Sequence, residues 1–388
     1  MTNAATTIDP LLPSETQQFL EAVHAFCEAR VRPHYQEHDR TGRLRPEVLA
    51  AVAEMGLLGL RAPIEYGGQG ADAVTTGLVC EAVGRADFNL GYLLNNSALV
   101  TDVLMRNCDE RQRREFIPPI AGGEEIPAVL LTEPEHGSDA AAIEVAAVAD
   151  GSDWVITGEK TSITFGMQAR TGLVFARTSP RGAKGITAFY ADLTADGVSR
   201  SPFVDLGGRA IGRASVHLDH VRVAGDRVIG AVDAGFTQVM QGFEFARALI
   251  GLICLGAASA SIDEAMQQAR DRVAFGRPIG CNQGVAFPLV EHATHIMAAR
   301  LLCLRALELK DRGLPHAVES NMAKWWAPQL SVAAAHEALL LCGHAGYSED
   351  LPLGQRLRDI VGLELGDGTA QITKTVVARH LLGRDYAP

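Results

Sequence analysis

Four short segments carry side chains that could do chemistry together. Leu131-Thr132-Glu133-Pro134-Glu135-His136-Gly137-Ser138-Asp139 ends an apolar stretch in a hydroxyl, a proline turn and a Gly-Ser-Asp triplet. Hydroxyls and free backbone N–H groups in such a turn can hold a flat polar ring or a phosphate. Gly158-Glu159-Lys160-Thr161-Ser162-Ile163-Thr164 is a second hydroxyl-rich run. Arg272-Val273-Ala274-Phe275-Gly276-Arg277-Pro278-Ile279, followed by Gln283, offers a cation, an aromatic ring and an amide. Arg358-Asp359 through Gly366-Asp367-Gly368-Thr369-Ala370-Gln371 sets a carboxylate at a helix start, where unpaired N–H groups favour an anionic ligand. Each segment alone reads as an ordinary turn or cap, and Asp367 in isolation reads as a helix N-cap.

Other constellations point away from chemistry. His292 and His295 lie three apart on an expected helix beside Glu291, but no HExxH pattern accompanies them. His217 and His220 lie in an expected strand, where an odd offset puts them on opposite faces. No metal site is expected from either pair. The seven cysteines (27, 80, 108, 254, 281, 303 and 342) form no CxxC pair and read as reduced, buried thiols of a cytoplasmic protein. A net charge of −11 argues against affinity built on nucleic-acid phosphates. Met1 to Pro13 has no basic region followed by an apolar stretch, so no secretory leader is expected. The longest largely apolar run, Ala248 to Ala260, is too short to span a bilayer, and no membrane association is expected.

The elements that must position these segments fall into three blocks. Residues 1–125 read as a helical domain: Ser14 with Gln17 gives a capping-box signal, and Phe19, Val23 and Phe26 follow at helical spacing. Pro46 opens another helix that Gly56 closes, and two more helical stretches occupy about 71–84 and 91–107. The Gly67-Gly68-Gln69-Gly70 cluster lacks the lysine and threonine of a phosphate loop. Residues 126–232 change texture to short β-branched runs around Leu173–Phe175, Ile186–Tyr190 and Val216–Val223, with a hairpin-like signal where Trp154-Val155-Ile156 meets Thr157-Gly158. This block reads as a β-sandwich or barrel. Residues 233–388 return to helix over Thr237–Arg272, Val285–Leu309, Glu319–Leu341 and Thr369–Leu382, which predicts a four-helix bundle. A small-residue stripe (Gly251, Gly256, Ala257, Ala260) suits close packing of its first helix. The chain is thus mainly α with a central β domain, and without alternating βαβ units a Rossmann fold is disfavoured.

Together, in this order and spacing, the segments resemble the acyl-CoA dehydrogenase family over nearly the whole chain. Ala62-Pro63-Ile64-Glu65-Tyr66-Gly67-Gly68 is similar to the family's early loop, Thr132-Glu133-Pro134 with Gly137-Ser138-Asp139 to its flavin signature, and Asp367-Gly368-Thr369 stands where Glu-Gly-Thr is usual. The resemblance implies FAD as cofactor, an acyl-CoA substrate, an electron-transfer flavoprotein as acceptor and a homotetramer built as a dimer of dimers. It also implies roles for residues. Leu130, Thr132, Gly137 and Ser138 would meet the flavin or its pyrophosphate, and Ser162, Ile163 and Thr164 would flank the isoalloxazine ring. Arg272, Phe275, Gln283 and Gly343 would reach the FAD of a neighbouring subunit, while Thr369 and Gln371 would close over the cofactor. Glu244, Arg247, Ser138 and Gly368 would lie near the substrate. Asp367 would be the catalytic base, with its own N–H as a donor to the thioester carbonyl.

The chemistry such a site needs follows from the substrate. The α-proton of a thioester is weakly acidic, so a carboxylate must come within hydrogen-bond reach while donors stabilise the developing enolate. A hydride then leaves the β-carbon for a cofactor, because protein side chains cannot accept it. The sequence departs from the family in several places. Aspartate shortens the base by one methylene. Ala246 occupies the alternative base position on the first bundle helix, so Asp367 has no visible rival. Ser162 replaces a usual tryptophan, Glu135-His136 a small Gly-Ala pair, and His344 and Leu340 a usual glycine and glutamine. An aspartate here resembles two minorities: a branch acting on alicyclic substrates such as cyclohexane-1-carbonyl-CoA, to which Gly158–Gly166 is also similar, and nitroalkane oxidase. The alicyclic dehydrogenase is the preferred reading, in which the Arg181–Lys184 loop could help hold CoA phosphates. The alternatives are a flavin oxidase or monooxygenase on the same fold and a non-catalytic flavin-binding assembly protein.

Overall fold

The computed structural model describes residues 11–388; most of the Met1–Pro13 stretch read for a leader lies outside them. The first helix, α1 (Ser14–Phe26), does not start with the expected capping box. The Pro13 carbonyl already accepts the Gln17 N–H, so Ser14 is one residue inside the helix, and the Gln17 amide donates to the Leu12 carbonyl instead. Next come α2 (Tyr35–Thr41) and α3 (Pro46–Glu54), the latter opened by its proline and followed by Gly56 in the left-handed region at φ 74°. Asp72 and Asp87 cap α4 (Ala73–Ala86) and α5 (Phe88–Asn107), their carboxylates accepting the first free N–H groups. A full capping box, Asp109 with Gln112, starts α6 (Glu110–Ala121), whose last turn tolerates Pro118 and Pro119.

The middle of the chain forms β1 (Ala128–Leu130), β2 (Ala146–Asp150), β3 (Asp153–Ile163), β4 (Thr171–Arg177), β5 (Ile186–Asp192), β6 (Val198–Pro202), β7 (Ala214–Val223) and β8 (Val228–Ile229). They pair in the order β6-β7-β3-β2-β4-β5-β8, with β1 parallel to β4. Strands β4 and β5 are buried on both faces. Leu173, Phe175, Ile186, Ala188 and Tyr190 pack towards Leu99, Phe116 and Val239 of the helical layers. The alternate residues Val174, Ala176, Phe189 and Ala191 face Ile156, Val216, Leu218 and Val221, giving the sandwich-like core.

Two expectations for this region are corrected where one β-bulge interrupts the pairing of β3 with β7. The hairpin turn falls at Gly151-Ser152, between β2 and β3, whereas Thr157-Gly158 lies in mid-strand at a register shift. Gly158 has φ 141°, and a Cβ there would press within 2.7 Å of Val145, so its glycine signals the bulge rather than a turn. The extra residue of this bulge lies in β7 near His220 (φ 54°) and shifts the alternation there by one. His217 and His220 therefore both emerge on the outer face, where they pair with Glu159 and Asp219.

The C-terminal block starts with α7 (Gly235–Asp271), 37 residues long. It is long and apolar enough to cross a membrane, more so than its most apolar run indicated, but that window is wholly buried by protein: it is the core helix. Its small-residue stripe permits close approach, since a Cβ on Gly251 would lie 2.6 Å from the Cys303 sulfur and one on Gly256 2.3 Å from the Glu81 carbonyl. A small hairpin of β9 (Val273–Ala274) and β10 (Arg277–Pro278) leads to α8 (Gln283–Asp311) and α9 (Ala317–Leu341). The chain closes with α10 (Gly343–Tyr347), α11 (Leu353–Leu365) and α12 (Ala370–Leu382). Helix α11 packs on α9 and α7, and α12, expected to be the fourth helix of the bundle, lies against α9. Six of the seven thiols are buried, and Cys281 is exposed.

Candidate active site

The carboxylate of Asp367 sits in the connection between α11 and α12. Thr369 caps α12, its hydroxyl accepting the Ile372 N–H at 3.3 Å, so Asp367 is not the cap. Asp367 (φ 55°) and Gly368 (φ 103°) both occupy the left-handed half of backbone space. Such a conformation persists only where the surroundings hold it. Two buried cations do so through backbone carbonyls: Arg247 Nε donates to the Asp367 carbonyl at 3.2 Å, and Lys324 Nζ donates to Leu363 at 2.8 Å and Gly368 at 3.0 Å. Burial pulls the Lys324 ammonium down to about 8, opposed by the Asp367 charge. Burial also lowers Arg247, whose guanidinium lies over the Phe243 ring. Among the described residues no ion pair within 4 Å joins Arg247 to Glu244, which excludes a simple surface pair.

The half-buried carboxylate itself accepts the Tyr92 hydroxyl on Oδ2 at 2.8 Å. Tyr92 projects from α5, the helix buried along most of its length. Burial first, and then the Asp367 charge, push Tyr92 well above the usual phenol range, so it remains a donor. Among the described residues the result is a carboxylate with one oxygen held and the other open, close to the unpaired N–H groups of the first turn of α12. That is the equipment of a general base next to an anion-stabilising helix end. Ala246 is fully buried and offers no second base.

The hydroxyl-rich segments are brought together by a buried ion pair. Glu133 accepts the N–H groups of Glu144 (2.6 Å) and Val145 (2.9 Å) and the Lys160 ammonium (2.7 Å); Lys160 also donates to the Leu131 carbonyl at 2.9 Å. The Thr161 N–H bonds the Thr132 carbonyl at 2.9 Å, completing the clamp between the two runs. Ser162 is exposed in the left-handed region (φ 58°), Thr132 and Thr164 are half-buried, and Gly137 and Ser138 are exposed. A Cβ at Gly137 would meet nothing within 4 Å. Hydroxyls and backbone donors along this open edge, with the α12 terminus, match the needs of a flavin ring and a pyrophosphate. The side chains of Leu130 and Ile163 are buried in the β core, because strand alternation turns them inward, so it is their backbones that are placed to meet a cofactor.

Other expected residues lie on the surface. Arg272, Phe275, Gln283, Gly343 and Gln371 are exposed on this chain, and the Phe275-Gly276 turn has φ values of 52° and 80°, placing a fully exposed phenylalanine at its tip. Residues not singled out from sequence include Tyr92, Lys324 and Arg177. Arg177 ties the Ser138 turn to the Arg181–Lys184 loop, donating to Ala141, Ile143 and Gly182 carbonyls. A lone lysine among Ala323, Trp325, Trp326 and Ala327 is the signal that could have marked Lys324.

Comparison with known proteins gives a consistent picture. The acyl-CoA dehydrogenase N-terminal, middle and C-terminal domain families match residues 13–124, 128–221 and 233–382. A probable acyl-CoA dehydrogenase of Bacillus subtilis is 33% identical over 377 residues, covering 96% of this chain and 99% of the relative. Butyryl-CoA dehydrogenase of Megasphaera elsdenii superposes with a TM-score of 0.93 at 27% identity, covering 97% of this chain and 100% of that one. A prolyl acyl carrier protein oxidase superposes with a TM-score of 0.92 at 25% identity, over 95% and 99% of the two chains.

Proposed function

Because the chain belongs to the acyl-CoA dehydrogenase family of FAD-dependent oxidoreductases, we propose that it introduces an α,β double bond into an alicyclic acyl-CoA, with Asp367 as the base. The observation that carries this reading is the open oxygen of a half-buried carboxylate beside the α12 terminus, whose other oxygen is held by Tyr92 and whose backbone is held by Arg247 of α7 and Lys324 of α9. Asp367 takes the α-proton while its backbone N–H donates to the thioester carbonyl. FAD, when bound, supplies the acceptor for the β-hydride. Thr132, Ser138, Ser162 and Thr164 offer hydroxyls to the ring and pyrophosphate, and Thr369 and Gln371 close over them. Arg247 fixes the loop and sets a buried positive charge near the enolate as it forms.

A ring substrate fits a short base, since its bulk can bring the α-carbon to a carboxylate that reaches one methylene less far. Serine at position 162 leaves room where a large side chain would otherwise pack. Arg181 and Lys184, exposed on the loop that Arg177 joins to the Ser138 turn, supply charge for CoA phosphates. An electron-transfer flavoprotein is the proposed acceptor. A homotetramer is proposed because Phe275 and an apolar stripe on α8 (Phe287, Val290, Met297, Leu301) are exposed, and Arg272, Phe275, Gln283 and Gly343 lie free to meet a neighbour's cofactor. Seven free thiols, six of them buried, suit a cytoplasmic setting.

The test is anaerobic mixing of holoenzyme with straight, branched and cyclic thioesters while the flavin absorbance is followed. Cyclohexane-1-carbonyl-CoA is expected to bleach fastest and to stay bleached until an artificial acceptor is added. Rapid reoxidation in air supports the oxidase reading, for which the carrier-protein oxidase neighbour gives a precedent on this fold. Failure to take up FAD supports an assembly role.

A further inference from the structure

A short base must be aimed more strictly than a long one, and the geometry points to Tyr92 as the positioning residue that aims Asp367. This inference rests on the reading of Asp367 as the base. Arg247 and Lys324 fix the backbone on either side of the carboxylate, on the carbonyls of Asp367 and Gly368, and leave the side-chain torsions free. Among the described residues Tyr92 is the one side-chain donor bonded to the carboxylate. Its mount is rigid: α5 is buried along most of its length, and the fully buried Asp87 caps its first turn through Asn89 and Leu90. The phenol stays protonated under the combined effect of burial and the neighbouring negative charge, so it cannot serve as a competing base. By fixing Oδ2 it presents Oδ1 to the substrate. A misplacement of about 1 Å costs on the order of a hundredfold in rate.

The experiment follows flavin bleaching of the holoenzyme with saturating cyclohexane-1-carbonyl-CoA in Tyr92→Phe, Asp367→Asn, Asp367→Glu and the two double variants. Tyr92→Phe is expected to keep the FAD spectrum, to hold the half-saturating thioester concentration within about twofold, and to bleach about 10- to 100-fold more slowly. In the Asp367→Asn and Asp367→Glu backgrounds the same substitution is expected to cost less than about threefold, because the contact being removed is no longer aimed at that carboxylate. Bleaching at the parental rate in Tyr92→Phe, or an equal loss in all backgrounds, overturns the proposal. Should Tyr92→Phe fail to hold FAD, 3-fluorotyrosine at position 92 preserves the ring and alters donor strength alone; a changed rate supports the positioning role and an unchanged rate refutes it. Normal bleaching by Asp367→Asn removes the base assignment itself, whereas an inactive Asp367→Asn with a normal Tyr92→Phe removes only the role of Tyr92.

Discussion

Asp359 and Asp367 stand eight residues apart, and each accepts a tyrosine hydroxyl, at 2.7 Å from Tyr35 and at 2.8 Å from Tyr92. Asp359 lies within α11 and is 2% exposed. Its second oxygen takes the Gly208 N–H at 2.7 Å, and the Asn89 amide adds a longer contact. It thereby joins α2, the loop at 208 and α11, in a place so tight that a Cβ on Gly207 would come within 2.3 Å of the Arg358 backbone. Asp367 has left the helix, is half-buried and has one oxygen unengaged. A carboxylate with both oxygens occupied is a weld, and one with an oxygen to spare is a base; the tyrosine does not decide between them. Backbone placement does, because a residue inside α11 is enclosed on every side while a left-handed turn residue projects from the helix end.

Asparagine at each position gives the sharpest way to break this contrast. Asp367→Asn is expected to slow flavin bleaching about a thousandfold while keeping the cofactor, within the range typical of a lost general base. Asp359→Asn, measured in the same anaerobic mixing experiment, should change the rate by less than about twofold. A large loss at 359 with none at 367 would reverse the assignment.

The same pair differs in pH dependence. Burial pushes Asp359 up to about 7, against the downward pull of the Gly208 and Tyr35 hydrogen bonds and with help from the Asp39 and Asp87 charges. The unfolded chain releases this proton near 3.8, so between about pH 4 and 7 the folded protein binds more protons than the unfolded one. The contribution is therefore complete below about pH 4 and is lost as pH rises through 7, with an upper bound on the order of 4 kcal/mol at 1.4 kcal/mol per pKa unit. Urea midpoints across this window should fall with pH more steeply in the parent than in Asp359→Asn. Equal slopes would show that this carboxyl ionises normally.

Much of this arrangement was legible in the sequence. The order of the four segments located Asp367 and the hydroxyl edge, and apolar spacing found the long helices. What was hidden is hidden for physical reasons. Gly158 reads as a turn because a bulge needs the same conformational freedom. Prolines 118 and 119 argue against α6, yet a capping box and the buried Phe116 and Ile117 outweigh them. Helix α11 has Gly354, Gly362 and four charged residues in its 13, which blur its apolar face. Tyr92 lies in a helix buried on nearly all sides, so no periodicity marks the one hydroxyl that meets Asp367 across 275 residues of sequence.

Lys324→Met tests the mount beneath Asp367 with a smaller effect. It removes a buried charge already drawn down to about 8, but leaves the Leu363 and Gly368 carbonyls without their donor. A loss of about 1–3 kcal/mol in urea unfolding is expected, the cost of unsatisfied buried acceptors. Bleaching should slow about tenfold as the loop loosens, a fraction of the penalty for a full ångström. Unchanged bleaching would mean that Arg247 alone holds the loop.

The smallest effect belongs to Tyr35→Phe, and it separates the two tyrosines most cleanly. Removing this hydroxyl leaves Asp359 with its Gly208 and Asn89 donors, so the carboxylate keeps partners and the loss is that of one buried hydrogen bond, about 1–2 kcal/mol. Nothing in the weld touches the reacting atoms, so flavin bleaching should match the parent. At Tyr92 the same chemical change is expected to act on rate while substrate affinity is held. Denaturant midpoints and bleaching rates of the two phenylalanine variants would thus move in crossed directions, one variant losing stability and the other speed. If Tyr35→Phe slowed bleaching as much as Tyr92→Phe, α11 would be transmitting strain from its buried aspartate to the reactive one, and the two carboxylates would have to be treated as a single device.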